Sequence, residues 1–234
     1  MNTGHQHERG AYDASYYLGR ERWRDRRTEA RLLLDLARVT AGCSTLDIGC
    51  GAGLLLHLIG ERGGIAVGTE VNATAILMAS KRAPTARLVA VDPEPSLPFA
   101  QATFSAVVNQ HVIEHLDTPA VYLQEWCRVL KPGGRLALVT PNARYRDPDH
   151  FADADHKYIW QRADILRALR DAGLTDVRAW TIFPYVGKTR LTRSMSVRFG
   201  AIVSHLPVLG DSGRTLVAVG TMPASEKARS AQKA

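Results

Sequence analysis

An α/β fold, a largely parallel sheet with helices on both faces, is the architecture this sequence predicts. Three observations carry the expectation. Short β-branched and aliphatic runs alternate with longer segments of helical periodicity. The chain has 234 residues, 45% hydrophobic and 23% charged, enough for one full core. Glycine and proline turns fall between the runs.

Taken in order, Arg20 to Val39 sets Trp23, Leu32, Leu33, Leu36 and Val39 among many charges. It reads as one amphipathic helix whose Arg-rich first half is a solvated face. A strand over Ser44–Ile48 and a helix over Leu54–Glu61 follow, then Gly63-Gly64 and a strand over Ile65–Glu70. The pattern continues with a helix at Ala73–Arg82, strands at Arg87–Val91 and Phe104–Asn109, and a helix at Pro119–Val129. Lys131-Pro132-Gly133-Gly134 turns into a strand at Arg135–Thr140, and the helix Arg162–Ala172 stops at Gly173. Strands at Val177–Phe183 and Thr215–Thr221 complete the set. This gives an N-terminal lid and helix over 1–40, one domain over 41–222, and a tail over 223–234 that has no large apolar residue and is expected to be disordered.

Composition excludes several classes. Three cysteines, Cys43, Cys50 and Cys127, with no CxxC pair, argue against a disulfide framework and a thiolate zinc site. No apolar run reaches the length of a membrane span, and Met1 to Arg9 is polar, so a cytoplasmic protein is expected. The net charge of +7 permits an anionic partner without identifying one. No recognisable nucleic-acid module accompanies it, so nucleic acid is not an expected partner.

The chemistry is concentrated first in Leu46-Asp47-Ile48-Gly49-Cys50-Gly51-Ala52-Gly53-Leu54. Three glycines at alternate positions between a strand and a helix let a ligand lie against backbone near free N–H groups. Dinucleotide loops read GxGxxG, whereas this one reads GxGxG and follows a carboxylate, which suits a cation better than a pyrophosphate. S-adenosylmethionine (SAM) carries both a sulfonium and an ammonium. In this motif the chain resembles the class I SAM-dependent methyltransferases. Glu70, at the end of the second strand, then takes the place of the acid that accepts from the ribose hydroxyls, and Asp92, ahead of Leu97-Pro98-Phe99, that of the acid facing adenine. Pro93 departs from the small residue usual there and removes a backbone donor.

The resemblance spans residues 40 to 183. It implies a Rossmann-like three-layer α-β-α sandwich whose sheet has seven mostly parallel strands, with strand seven antiparallel beside the fifth. It assigns Asp47, Gly49, Cys50, Gly51, Gly53, Glu70, Val71, Asp92, Pro93 and Gln110 to the cofactor.

A second concentration follows the fourth strand, at His111-Val112-Ile113-Glu114-His115, with Asp155-His156 further on. In small-molecule methyltransferases of this type, a Glu-His after strand four and a downstream Asp-His position the acceptor, and one histidine takes its proton. In ubiquinone-pathway O-methyltransferases and small-RNA 2′-O-methyltransferases a similar cluster holds a divalent metal. Glu114, His115 and His156 stand at those ligand positions, but His111 replaces a glutamate. The expected catalytic set is therefore His115 as base with Glu114, His111 and His156. A metal on the same four residues and a purely structural hydrogen-bond network are the alternatives.

Acceptor selection is expected from Tyr12-Asp13-Ala14-Ser15-Tyr16-Tyr17, from Asn142–Trp160 and from Pro184–Leu209. Lys188, Arg190, Arg193 and Arg198 read first as a solvated basic face, and second as a draw for an anionic acceptor. The expected activity is methyl transfer from SAM to an oxygen of a small or lipid-linked metabolite. The competing readings are a metal-dependent RNA 2′-O-methyltransferase, a nicotinamide oxidoreductase, and a SAM-binding protein without catalysis.

Overall fold

The computed structural model describes residues 13–21, 24–92, 94–145, 155–184, 211 and 213–224. Tyr12, Trp23, Pro93, the basic residues from Lys188 to Arg198, the middle of the 142–160 segment and the tail from 225 lie outside them.

The helices are α1 (Ala14–Glu21), α2 (Arg24–Leu36), α3 (Leu54–Glu61), α4 (Ala73–Arg82), α5 (Pro119–Val129) and α6 (Arg162–Asp171). The strands are β1 (Ser44–Ile48), β2 (Ile65–Glu70), β3 (Arg87–Ala90), β4 (Phe104–Gln110), β5 (Leu130–Pro141), β6 (Thr175–Pro184) and β7 (Gly213–Thr221). They form one sheet in the order β3-β2-β1-β4-β5-β7-β6. Pairing is parallel from β3 to β5, and β7 runs antiparallel to both β5 and β6. The predicted seven strands, and the reversed strand seven beside the fifth, are both present.

Because helices cover both faces, the central strands are buried on both sides and read as nearly continuous apolar runs. Successive side chains still divide between two cores. Ala106 and Val108 of β4 join Leu33, Leu34, Leu56, Ile59 and Ala79 from α2, α3 and α4. Val107 of the same strand joins Leu123, Trp126, Ile165 and Leu169 from α5 and α6.

The largest departures from the expected boundaries are in the N-terminal segment and at the start of β5. The N-terminal segment is two helices. Asp13 starts α1 by accepting from the Tyr16 backbone N–H at 2.9 Å, and α2 ends where Arg38 turns left-handed (φ 55°) and the Val39 N–H bonds the Leu34 carbonyl at 2.9 Å. β5 begins five residues earlier than Arg135, since Leu130 already pairs with Phe104 across a register shift. The Gly133-Gly134 segment also exchanges backbone bonds with Met222 beyond β7.

The strand order reverses direction at β1, between β2 and β4. The crevice outside the C-terminal ends of these strands is where such a sheet collects ligands.

Gly53 locks the glycine turn against α4. Its φ is +82°, and a Cβ there would lie 2.9 Å from the Ala79 Cα. Gly53→Ala is expected to cost about 1–3 kcal/mol, measured as a lowered denaturant midpoint. Gly133→Ala, also at positive φ but with nothing within 4 Å, is expected to cost less.

Candidate active site

Asp47 stands on β1 beneath the glycine turn, 1% exposed, with neither carboxylate oxygen hydrogen-bonded. Burial pushes its pKa well above the usual range, the Glu70 charge adds to this, and Arg26 opposes it. Glu70 closes β2 and is buried too. Its Oε2 accepts from the Gly51 N–H at 2.8 Å, and its Oε1 from the Val71 and Asn72 N–H groups at 2.8 and 3.0 Å. The two acids thus meet under the loop, one tied to backbone and the other without a hydrogen-bonding group.

Gly49 and Gly51 both have positive φ, and a Cβ on Gly51 would come within 3.6 Å of the Tyr17 ring. Helix α1 therefore lies over the turn. Cys50 is buried, and desolvation together with the Asp47 and Glu70 charges pushes its thiol far up, so it packs as a neutral group. Val71 is exposed at the rim and Asp92 is exposed beyond β3.

The second centre is a buried chain of acids around one histidine. His111 adopts φ 57°, rare for a residue with a side chain, while its N–H bonds the Val139 carbonyl at 3.0 Å. Its Nε2 lies 3.0 Å from Glu29 Oε2. Its Nδ1 lies 3.3 Å from Glu114 Oε1, an ion contact too oblique for a good hydrogen bond. A carboxylate near each ring nitrogen favours the imidazolium form. Burial alone would lower the His111 pKa, but the Glu29 charge and the contacts with Glu114 and Glu29 outweigh it and raise the value.

Glu29 comes from α2 and is 3% exposed. Burial pushes its carboxyl up, yet the His111 charge and hydrogen bonds from His111, Thr215 and Gln110 hold it at about 2. The Thr215 hydroxyl donates to Oε1 at 2.8 Å and Gln110 Nε2 donates to Oε2 at 3.2 Å. Gln110, expected among the cofactor contacts, thus commits its side-chain amide to Glu29 and to the Arg26 carbonyl at 2.9 Å.

Glu114 sits in a short 3₁₀ turn and accepts from the Thr140 hydroxyl at 3.0 Å. Burial raises its pKa, and the contact with and charge of His111, then the His115 charge, bring it to about 2. Its carbonyl accepts from the Lys157 and Tyr158 N–H groups at 2.8 and 3.0 Å, fixing the segment that carries His156. His115 Nδ1 lies 3.1 Å from the Asp155 carbonyl, and the His115 and His156 rings meet edge-on at 4.9 Å. Glu114, His115 and His156 bring one candidate ligand atom each within 4.8 Å of one another, while His111 is turned onto Glu29 and Glu114.

Glu29, Thr140 and Thr215 escape the sequence reading. The one available signal was helical spacing, since Glu29 falls in line with Leu33 and Leu36 on the apolar stripe of α2, where an acid requires a buried partner.

This architecture, with a GxGxG turn over a buried acid at the switch point, is that of the class I SAM-dependent methyltransferases, and the comparisons with known proteins support a SAM-dependent methyltransferase. A methyltransferase-domain family model matches residues 46–138. The chain is 27% identical over 248 residues to the ubiquinone biosynthesis O-methyltransferase of Alkalilimnicola ehrlichii, covering 89% of this chain and 95% of that enzyme. Its match to the corresponding enzyme of Cereibacter sphaeroides is 33% over 123 residues, 48% of this chain and about half, 46%, of that protein. Among solved structures, a SAM-dependent methyltransferase from Archaeoglobus fulgidus superposes with a TM-score of 0.68 at 20% identity, covering 88% of this chain and 99% of that one. SAM is the cofactor. An acid buried beneath the turn with no hydrogen-bond partner among the described residues is compatible with a ligand that carries cationic groups.

Charge in the acid–histidine chain sets a pH window for stability. Glu29 and Glu114 have folded values near 2 against an ordinary 4.5, so their contribution is complete above 4.5 and is lost as pH falls toward 2. His111 is raised above 6.5, so its contribution is complete below 6.5 and is lost as pH rises through the folded value. Asp47, also raised, works in the same sense as His111 from pH 3.8 upward. Thermal melts against pH are expected to show a decline on the alkaline side that His111→Gln flattens.

Proposed function

We propose that the enzyme methylates a phenolic hydroxyl of a small-molecule acceptor, with His115 taking the hydroxyl proton. The observation that carries this reading is the Glu114–His115–His156 cluster, with a buried acid and two half-buried imidazoles, just past the C-terminal end of β4, at the crevice where such a fold collects ligands. Bound SAM supplies an electrophilic methyl group on a sulfonium. Asp47, Glu70, Asp92 and the rim residue Val71 would hold it, with the backbone of Gly49, Cys50, Gly51, Gly53 and Gln110 against it.

The protein's contribution to the transfer is alignment and proton removal. With Nδ1 directed at the Asp155 carbonyl, the neutral His115 ring carries its hydrogen there, and Nε2 is the basic nitrogen. The Glu114 carboxylate favours the imidazolium that proton removal creates. A phenol, with a pKa of about 10, gives up its proton to an imidazole base as the bond forms more readily than an aliphatic alcohol does. The names of the related O-methyltransferases support an oxygen acceptor. A second reading keeps the same acceptor and places a divalent metal on Glu114, His115 and His156, favoured by the convergence of their ligand atoms.

Incubating the pure protein with labelled SAM and a metabolite extract should label an O-methyl ether, and exclusive labelling of nitrogen or carbon would overturn the reading. With that substrate, His115→Asn should lower kcat by about 100-fold or more. S-adenosylhomocysteine should still raise its Tm, whereas Asp47→Ala should abolish that rise. Activity unchanged by EDTA supports the metal-free form, and loss restored by added metal supports the second reading.

A further inference from the structure

We infer that Glu29 is a positioning residue for methyl transfer, acting from α2 through His111 to hold Glu114 and the loop that carries His156. The inference rests on the acceptor site proposed above, but its geometry is independent of which acceptor is used. Glu29 Oε2 lies 3.0 Å from His111 Nε2, and His111 Nδ1 lies 3.3 Å from Glu114 Oε1. Beyond the side chain, the Glu114 carbonyl bonds the Lys157 and Tyr158 N–H groups, next in sequence to His156. A continuous chain of polar contacts therefore runs from α2 through the turn after β4 to the segment preceding α6.

Structure alone does not require an acid at 29. An apolar residue on that stripe of α2 would pack against the sheet with no desolvation cost. The acid instead draws hydrogen bonds from Thr215 on β7 and Gln110 on β4, which fix its carboxylate where only His111 completes it. His111 in turn holds a left-handed backbone, a strained state that persists where surrounding contacts over-determine it. Removing the Glu29 charge leaves the imidazole with one acid, and its hold on Glu114 loosens.

The test compares Glu29→Gln, Glu29→Asp, His111→Gln and the Glu29→Gln/His111→Gln double variant with the wild type. Glu29→Gln should lower kcat by about 100-fold with the acceptor KM and S-adenosylhomocysteine affinity changed by no more than about threefold. Glu29→Asp should recover at least about a tenth of the wild-type kcat. The double variant should be no slower than the worse single one, as expected of residues acting in series. Hydrogen exchange of the Lys157 and Tyr158 amides should accelerate by about tenfold or more in Glu29→Gln, a readout that needs no acceptor.

Wild-type turnover on no oxygen acceptor, with the exchange change still present, counts against the proposed function and leaves Glu29 in its positioning role. Unchanged exchange together with unchanged kcat overturns that role, as does a double variant whose losses multiply. If Glu29→Gln does not fold, His111→Gln removes the same link from the other side, and wild-type kcat and exchange in that variant overturn the inference.

Discussion

A carboxylate taken out of water must find positive charge or hydrogen bonds, and among the described residues four are buried near the central strands: Glu29, Asp47, Glu70 and Glu114. The effective penalty is several kcal/mol for each ion left uncompensated. They are compensated in different ways. Glu70 is satisfied by three backbone N–H groups, and Glu29 and Glu114 share one imidazolium. Asp47 has no hydrogen-bond partner among the described residues, and burial with the Glu70 charge raises its pKa well above the usual range. One constraint thus separates a self-contained acidic network from an acidic cradle that a ligand must complete.

That separation has structural consequences. Pairing Glu29 and Glu114 to the same ring draws α2, the turn after β4 and the segment before α6 to one point, although they are far apart in sequence. The hydroxyls of Thr140 on β5 and Thr215 on β7 close the remaining acceptor positions. The two groups of acids sit on adjoining strand ends and differ in how they are compensated, Asp47 without a hydrogen bond among the described residues and Glu29 and Glu114 against the His111 ring.

The fold was largely legible because its signals are local. The glycine turn, the Gly63-Gly64 break and the doubly buried strands each announce themselves within a few residues, so α3, α4 and α5 fall where periodicity places them. The early start of β5 was not legible, because Lys131-Pro132-Gly133-Gly134 has turn composition and is recruited into the sheet by β4 and Met222. The helix Ala14–Glu21 was not read from the sequence, since the apolar stripe is clear only from Arg20 onward. In the site, His111, Glu114, His115 and His156 were nameable from residue type and strand position. The partner of His111 was not, as the contact joins residues 82 apart in sequence and no local pattern reports it.

The position of Glu29 also bears on how such enzymes diverge. The family model matches residues 46–138, which include the glycine turn, both donor-side acids and the Glu-His turn. Glu29 precedes that segment, while His156 and Thr215 follow it, so contacts around the turn after β4 arise in part from parts of the chain the shared segment does not contain. A sheet that fixes the donor can then accept different acceptor chemistry through changes in the helix before it and the loops after β5. In this chain the imidazole at 111 and the acid at 29 fit as a pair. Either alone would leave a buried charge uncompensated, so substitution at one position is constrained by the residue at the other.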